Sequence, residues 1–429
     1  MSGSMRRRVI AGSGANAFGQ GVTVAIQLGS LPIFLHYWDA ATYGVWLTLS
    51  AIPSYLSMAD VGIVTTASNK MTAAIGNRDP VYAATIFQSA LLFLAAVSSV
   101  LLIGAVVGAL MLPMPAAYES TDYRLTVVFL AGTVLVTLFG GLADAIFKST
   151  GRYPIGALLG NLVRLAEWLG AMLGLSLFGT FSAVAAGGLI ARALGFICAA
   201  VIATRGAHGI IWSLKGASLR EVRIMAKPAA AFMLFPLSFA LSLQGLTLLV
   251  AHTLGPTAVA IFNTYRTLAR ISVQATSVVS HALWPEFARL YGAGDTLVAS
   301  EIFRRSARIG VIFSVAIGCA LYFASPILLK IWTHGRVEFQ PVLMLAMALY
   351  SVAASVGHIP RTFLSATNLH HGLALWMVGA AAASLLMGAL VSQTFGLVGI
   401  SAAMLAAECA VTMMATRFSL KALQRLALV

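Results

Sequence analysis

Four arginines lie inside long apolar segments, where a permanent charge is costly and usually has a use. Arg266 and Arg270 are four residues apart, one helical turn, while Arg192 and Arg164 occupy two earlier apolar segments. A cation at the centre of a bilayer costs about 2.5 to 3.5 kcal/mol on insertion scales, so it normally faces a water-filled cavity or a partner. The planar guanidinium also donates well to phosphate oxygens. The four arginines therefore predict contacts with an anionic substrate.

Neutral polar side chains accompany these arginines at helical spacing. One stripe runs along the first apolar segment and contains Asn16, Gln20, Thr23, Gln27 and Ser30. A second stripe shares the segment of Arg266 and Arg270 and contains Asn263, Gln274, Ser277 and His281. Steps of three to four residues place each stripe on one helical face. Such a face favours an aqueous cavity; the alternative is hydrogen bonding between packed helices.

Three carboxylates lie deep in apolar segments, namely Asp60, Glu167 and Glu408. Desolvation favours the protonated form of such a group, so each could take up a proton and couple transport to an ion gradient. Asp144 and Glu286 lie near the cytoplasmic ends of their segments, where pairing with loop cations explains them. A structural ion pair is the alternative for every one of these carboxylates.

Two such pairs are predicted as alternatives to substrate contact. Arg164 and Glu167 are three residues apart on one segment, and Arg192 has Glu408 as its counterpart in an internal repeat. The two arginines of the eighth segment have no carboxylate in that segment. They are therefore the strongest candidates for anion contact, which requires guanidinium groups that face solvent rather than packed protein or acidic partners.

Metal and cofactor chemistry finds no support in the sequence. The cysteines, Cys198, Cys319 and Cys409, all lie in apolar segments without a metal-binding spacing, and the eight histidines are scattered. No cofactor or metal is expected, and packing explains the thiols.

Composition indicates the elements that must position these residues. Hydrophobic residues make up 59% and charged residues 9% of the 429 residues, whereas soluble domains have about 25% charged residues. The sequence predicts an all-α integral membrane protein with twelve transmembrane helices. They run approximately from 12 to 35, 43 to 66, 83 to 112, 124 to 147, 155 to 178, 181 to 204, 228 to 252, 258 to 283, 307 to 331, 339 to 364, 371 to 393 and 396 to 419.

The distribution of cations predicts the orientation. With the N-terminus inside, cytoplasmic segments hold twenty of the 27 Lys and Arg residues, and outward segments hold only Arg124, Lys330 and Arg336. This bias places both termini in the cytoplasm. It also accounts for much of the net charge of +14, which therefore does not indicate nucleic-acid binding. The outward loops are short, which argues against a membrane enzyme.

An internal repeat at an offset of about 216 residues predicts two pseudo-symmetric six-helix lobes around a central cavity. Phe147, Ser149 and Gly156, for example, reappear as Phe363, Ser365 and Gly372. The predicted parts are an N-lobe over 1–204, a cytoplasmic linker over 205–227 and a C-lobe over 228–429. The basic linker is predicted to lie on the anionic inner leaflet, or to be an ordinary positive-inside loop. Pro236 interrupts the seventh helix at the position equivalent to the glycine- and proline-rich first helix.

Several motifs resemble a known family. The run from Leu31 to Leu35, the run from Ala41 to Trp46 and the stretch from Asp60 to Ile63 resemble the opening of Wzx-type polysaccharide flippases of the MOP superfamily. The stretch from Ala282 to Phe287, with Gly294 and Asp295, resembles the end of their eighth helix. The resemblance covers most of the chain, and MATE exporters share part of these motifs.

This resemblance implies alternating access in the bacterial inner membrane and translocation of undecaprenyl-pyrophosphate-linked oligosaccharide, including O-antigen precursors. It implies as partners the lipid-linked substrate, membrane lipids, and the polysaccharide polymerase with its chain-length machinery. The main alternative is a MATE-type multidrug exporter coupled to protons or sodium. Such exporters handle cations and usually carry a carboxylate in the N-lobe cavity, often in the first helix. That helix has only amides and hydroxyls here, which favours the flippase.

Overall fold

A computed structural model describes the backbone of the chain except at residues 1–2, 57–59, 61, 112–119, 206, 208, 293–295, 368 and 427–429. It also describes the side chains of these residues, except at 3–17, 52–55, 120, 227–228, 230–232, 235, 278–279, 281–282, 284–286, 288–289, 291–292, 296, 371 and 425–426. The described residues form helices and connecting turns and include no strand. The predicted all-α class is therefore confirmed.

Fifteen α-helices and one π-helical turn follow along the described chain. They are α1 (Gly3–Tyr37), α2 (Ala40–Leu56), α3 (Ile63–Gly76), α4 (Pro80–Met111), α5 (Ser120–Ser149), α6 (Tyr153–Phe178), α7 (Phe181–Arg205), α8 (Leu219–Phe232), α9 (Leu234–Ala240), the π-turn (Leu241–Gly245), α10 (Leu246–Leu254), α11 (Pro256–Gly292), α12 (Thr296–Trp332), α13 (Pro341–Val356), α14 (His358–Ala366) and α15 (His371–Leu426).

Among the described residues, each of the twelve predicted segments corresponds to one or more helices, but five of them are interrupted or joined. The second is divided between α2 and α3, the seventh contains the π-turn, and the tenth is divided between α13 and α14. The last two run together in α15, whose backbone leaves helical geometry at Gly396 with φ 54°. Nine helices within the described ranges are long and apolar enough to cross a membrane. The chain is a multi-pass membrane protein.

The helices form two compact units. The first comprises Met1–Trp38 and Leu49–Met233, and the second comprises Asp39–Thr48 and Leu234–Val429. In the first unit, α6 and α7 touch along glycines: a Cβ added at Gly170 would meet the Gly187 carbonyl oxygen, and one at Gly174 would meet the Ala183 carbonyl oxygen. Gly170 and Gly174 are four residues apart, the small-residue spacing that lets membrane helices approach closely.

The linker predicted between the lobes packs on the first unit. The Trp212 ring makes edge contacts with Phe87 and Phe196 at 5.1 and 5.6 Å between ring centroids. On α8, Glu221 accepts a hydrogen bond from Lys70 Nζ at 2.9 Å and one from the Tyr82 hydroxyl at 3.1 Å. These contacts join α8 to α3 and α4. The linker is therefore a docked part of this unit rather than a free loop.

In the second unit, α10, α11 and α13 share a buried core that includes Phe262, Tyr265, Met344 and Met347. The Tyr265 hydroxyl donates to the Glu338 carbonyl oxygen at 2.8 Å and accepts from the Gln340 backbone N–H at 2.6 Å. This hydroxyl thus fixes the chain where α13 begins. A second core, towards the other end of α11, contains Phe287, Phe303 and Phe363, and the Phe363 ring makes edge contacts with the other two rings.

Candidate functional site

The second unit contains a cavity of about 350 Å³, which we call the arginine cavity. Its walls come from α9, the π-turn, α10, α11, α13, α14 and α15, and its polar lining includes Arg270, Tyr350, His358, Arg361 and Glu408. Apolar side chains such as Leu373 and Met377 cover the rest of the wall. An apolar cleft with a few convergent polar groups is the usual form of a ligand site.

Arg270 supplies the free charge of this cavity. Its guanidinium lines the wall, and among the residues that the structure describes it forms no hydrogen bond and no ion pair. Arg361 Nη2 pairs with Glu408 Oε1, while Arg361 Nε is buried without a hydrogen-bond partner. The Ser384 hydroxyl is likewise buried, unpartnered and part of the lining. The cavity thus offers donors that the protein itself leaves unused.

Arg266 points elsewhere, although it is only one turn from Arg270. Its side chain is buried, with the residue 7% exposed, and it does not line the cavity. Nη1 donates to the Leu243 carbonyl oxygen at 2.7 Å, and Nη2 donates to the Thr247 hydroxyl at 3.0 Å and to Asn263 Oδ1. The guanidinium lies 5.1 Å from the centre of the Phe262 ring. Packed protein, not solvent, surrounds this predicted substrate contact.

The first unit contains a separate cavity of about 450 Å³, which we call the Asp144 cavity. It is lined by α5, α6 and α7, and its polar residues are Thr137, Asp144, Lys148, Tyr153, Asn161 and Arg192. Within the described part of the chain, the Asp144 carboxylate accepts no hydrogen bond and forms no ion pair of 4 Å or less. The sequence interpretation gave Asp144 only a pairing role with loop cations, so this open carboxylate is unexpected.

The other two predicted arginines are already bonded. Arg192 Nη1 forms an ion pair with Glu167 Oε2, which joins α7 to α6. Arg164 Nη2 donates to the Gly19 carbonyl oxygen at 3.0 Å and to the Thr23 hydroxyl, which joins α6 to α1. Glu167 therefore pairs with Arg192 rather than with Arg164, its neighbour on the same helix. Glu408, the predicted alternative partner of Arg192, is paired with Arg361 inside its own unit.

At least two residues of the polar stripe on α1 bond another helix. The Ser30 hydroxyl accepts from Trp168 Nε1 at 2.9 Å, and the Thr23 hydroxyl accepts from Arg164. Gln20 is exposed and Gln27 is half-buried, while the side chain of Asn16 lies outside the described residues. Part of this stripe therefore follows the packing alternative rather than lining water.

Of the remaining predicted residues, Asn263 and Asp60 make local hydrogen bonds, and the roles of Gln274 and His281 stay predictions. Asn263 supports Arg266, and its Nδ2 donates to the Val259 carbonyl oxygen at 3.0 Å. Gln274 is half-buried on α11, and the side chain of His281 lies outside the described residues. Asp60 Oδ1 accepts from the Gly62 backbone N–H at 3.1 Å, so this carboxylate stabilises the turn before α3.

Sequence reasoning missed Tyr350, His358 and Arg361. Arg361 is counted among the twenty cytoplasmic cations of the sequence interpretation because it lies near the end of the predicted tenth segment, but it lines the cavity. The repeat carried a usable signal: Glu408 of the second unit stands where Arg192 stands in the first, and each pairs with an opposite charge on a neighbouring helix. Within the described ranges, no group of three or more His, Cys, Asp or Glu residues is placed to hold a metal ion.

Comparison with known proteins identifies the fold. No protein-family profile matches the chain, and no curated protein matches it. A solved inward-facing multidrug resistance MATE transporter of the MOP superfamily has a TM-score of 0.74 at 12% identity, with 95% of each chain covered. An outward-facing MATE structure gives a TM-score of 0.62 at 12% identity, covering 98% of this chain and 94% of that one.

A third solved structure carries information about charge. It is a MOP superfamily transporter from Pyrococcus furiosus Vc1 whose binding pocket is described as having reverse polarity, and whose function is described as different for that reason. Its TM-score is 0.63 at 13% identity, covering 98% of this chain and 94% of that one. At such identities the likeness concerns the fold alone. This chain has the fold of the MATE transporters of the MOP superfamily.

Proposed function

We propose that this protein is an alternating-access transporter that flips undecaprenyl-pyrophosphate-linked oligosaccharide across the bacterial inner membrane. One observation carries the proposal: Arg270 lines the arginine cavity with no hydrogen-bond or ion-pair partner among the described residues. A permanently charged group left open in a largely apolar wall favours an anion as the ligand. The coarser part of the proposal, a transporter, is supported by the solved MATE structures that share the fold.

The charges around the cavity fit an anionic headgroup. Arg270 and Arg361 contribute two positive charges and Glu408 one negative charge, so the lining is net positive even with His358 neutral. Arginine can bond two phosphate oxygens at once. A pyrophosphate would meet Arg270 first, and would meet Arg361 as the guanidinium exchanges its carboxylate partner for phosphate.

The size of the cavity favours one part of the proposed substrate as its ligand. Ligand sites span about 300 to 1,000 Å³, and 350 Å³ is near the lower limit. This volume fits a pyrophosphate and not a whole oligosaccharide. The polyprenyl chain and the glycan would remain outside the arginine cavity, in lipid and in water respectively.

A glycan-export assay in a host that depends on this protein tests the proposal. We expect Arg270→Ala to abolish export of surface glycan, and Arg270→Lys to retain part of it because one charge and one donor set remain. The matched control is Arg304→Ala, which removes an exposed arginine of α12 outside the cavity. Protein abundance is followed by immunoblot. Full export by the Arg270→Ala variant would remove the cavity from the mechanism.

The proposed location and partners follow from this function. Positive-inside loops support an inner-membrane orientation with both termini in the cytoplasm. A flippase for lipid-linked glycans would deliver its product to a polysaccharide polymerase and chain-length machinery at the outer face.

A second candidate function is a MATE-type cation exporter, and the Asp144 cavity favours it. Asp144 is an open carboxylate in the first unit, and a carboxylate in that lobe is what an exporter of cations would use. This candidate predicts that expression confers resistance to cationic dyes and that Asp144→Asn abolishes the resistance. Unchanged dye sensitivity on expression would exclude it.

A further inference from the structure

The seventh membrane segment contains a π-turn that lines the arginine cavity. Residues Leu241–Gly245 are π-helical, between α9 and α10. Ser242 and Leu243 of this turn line the arginine cavity, together with Phe239 of α9 and Leu246 of α10. A π-turn closes its hydrogen bonds over five residues instead of four, and such turns are frequent at functional sites. Part of the wall of the cavity that Arg270 lines is therefore built on irregular backbone.

Arg266 bonds this irregular backbone directly. Its Nη1 donates to the Leu243 carbonyl oxygen in the π-turn at 2.7 Å, and the same oxygen accepts from the Thr247 hydroxyl at 2.9 Å. Nη2 then donates to that hydroxyl at 3.0 Å and to Asn263 Oδ1. One guanidinium thus bonds the π-turn, the first turn of α10 and its own helix α11.

The residue type fits this task better than any other. A lysine offers a single point charge, and leucine or methionine offers no donor, whereas arginine presents several donors in a fixed plane. A cation in a packed interior is costly unless its donors are used. At Arg266 both terminal nitrogens are used, and the Phe262 ring lies beside the guanidinium at 5.1 Å.

We propose that Arg266 is a positioning residue: it holds the π-turn and so fixes part of the wall of the cavity that Arg270 lines. The inference rests on the proposed function only for the meaning of the cavity. Arg270 lies one turn further along α11, so the same helix carries the arginine that bonds the π-turn and the arginine that lines the cavity. Arg266 fixes the position of the π-turn residues that line the cavity, and Arg270 contacts the ligand.

The geometry gives a measurable consequence. If the π-turn reverts to an α-turn, α9 rotates by one residue, about 100°, relative to α10. At a side-chain radius of about 5 Å, such a rotation displaces a side chain by about 8 Å. Phe239 of α9 and Val273 of α11 both line the cavity. The distance between these two positions therefore reports the π-turn.

The experiment measures that distance and ligand binding separately. Cys198, Cys319 and Cys409 are replaced by alanine, Phe239 and Val273 by cysteine, and spin labels are attached to the protein in phosphatidylcholine nanodiscs. Electron paramagnetic resonance gives the distance distribution, and calorimetry gives the affinity for inorganic pyrophosphate. We expect Arg266→Met to move the distribution by up to about 8 Å and to weaken pyrophosphate binding at least tenfold. Arg266→Lys, which keeps one donor group, restores most of the original distance.

Arg270→Met separates this inference from the proposed function. It should weaken pyrophosphate binding at least tenfold and leave the distance between the two spin labels unchanged, because the hydrogen bonds from Arg266 to the π-turn remain intact. Pyrophosphate binding that survives Arg270→Met contradicts the proposed function. The distance between the two spin labels still tests whether Arg266 holds the π-turn. If Arg266→Met does not fold, Thr247→Val removes one acceptor of the guanidinium and should shift or broaden the distribution in the same direction. An unchanged distribution in Arg266→Met, or in Thr247→Val if that variant must serve, overturns the positioning role.

Discussion

Replacing Glu408 by glutamine separates a cavity that recruits anions from one that merely contains a structural ion pair. Glu408 is the one carboxylate among the described residues that line the arginine cavity, and it pairs with Arg361. The substitution keeps the shape of the side chain and removes its charge. Formal lining charge rises from +1 to +2, and Arg361 becomes available to a phosphate group.

Two opposite effects follow, and both can be estimated. A hydrogen bond to a charged group contributes about 1.5 to 3 kcal/mol, so one new arginine-phosphate contact tightens pyrophosphate binding about 10-fold to 100-fold. Breaking a fully buried ion pair costs about 3 to 5 kcal/mol. The Arg361 and Glu408 side chains remain 20% and 16% exposed, so solvent in the cavity reduces this cost to about 1 to 2 kcal/mol.

Calorimetry with inorganic pyrophosphate at pH 7 and thermal unfolding in phosphatidylcholine nanodiscs measure the two effects. The matched control is Glu167→Gln, which breaks the pair with Arg192 in the first unit, where the side chains are 19% exposed for Arg192 and 26% for Glu167. Both variants should lose stability, and only Glu408→Gln should bind pyrophosphate more tightly. Equal or weaker binding by Glu408→Gln would refute the idea that a ligand competes with Glu408 for Arg361.

Two further predictions concern the framework around the cavities. Burial raises the pKa of Glu221, but the Lys70 ammonium and the Tyr82 hydroxyl outweigh this effect and lower the pKa of Glu221 below its ordinary 4.5. Burial lowers the pKa of Lys70, but bonds to Glu221 and Tyr82 raise the pKa of Lys70 above its ordinary 10.5 overall. The bonds of Glu221 should therefore stabilise the packing of α8 between these two pKa values. This stabilisation, about 1 kcal/mol, should be lost as the pH falls from about 4.5 through the lowered pKa of Glu221. Because amide exchange is intrinsically slower in acid, the measurement is the protection factor of the α8 amides relative to an unfolded peptide at the same pH; it should be lower at pH 3 than at pH 7, and equal protection factors would contradict the prediction. A Cβ at Gly44 would overlap the Pro256 carbonyl oxygen, so Gly44→Ala should destabilise the second unit by about 3 kcal/mol. Gly379→Ala, with no atom within 4 Å of the added Cβ, is the control and should leave the melting temperature unchanged or higher.

The sequence predicted the class and the helices because bilayer chemistry acts on whole segments. Twenty apolar residues in a row have few alternatives to a spanning helix. Periodicity also predicted that Arg266 and Arg270 share one stripe, whereas Arg266 packs against the π-turn and α10 and Arg270 lines the cavity. It could not separate them, because a stripe one turn wide contains positions that face a neighbouring helix and positions that face a cavity. The π-turn accepts a hydrogen bond from Arg266 and so holds this side chain in packed protein, but a π-turn leaves no periodic signal in the sequence.

Charge pairing was harder to predict for a similar reason. Glu167 is three residues from Arg164, and this spacing favours a pair on one helix. The close approach of α6 and α7 at Gly170 and Gly174 instead brings Arg192 within reach of Glu167. Such a pair depends on how closely two helix backbones approach each other, and tertiary packing sets that distance. Arg361 was missed because its position near a predicted helix end indicated a loop.

A reconstituted flipping assay shows whether this protein moves a lipid-linked glycan across a bilayer. Proteoliposomes carrying this protein receive fluorescent undecaprenyl-pyrophosphate-linked oligosaccharide, and exposure of the glycan on the opposite leaflet is followed with a membrane-impermeant glycosidase. We expect the wild-type protein to flip the substrate, inorganic pyrophosphate to inhibit it, and Arg270→Met to reduce the rate at least tenfold while the variant keeps its fold. A wild-type protein that leaves the glycan in place and transports a cationic dye instead, with Arg270→Met as active as wild type, would contradict the account.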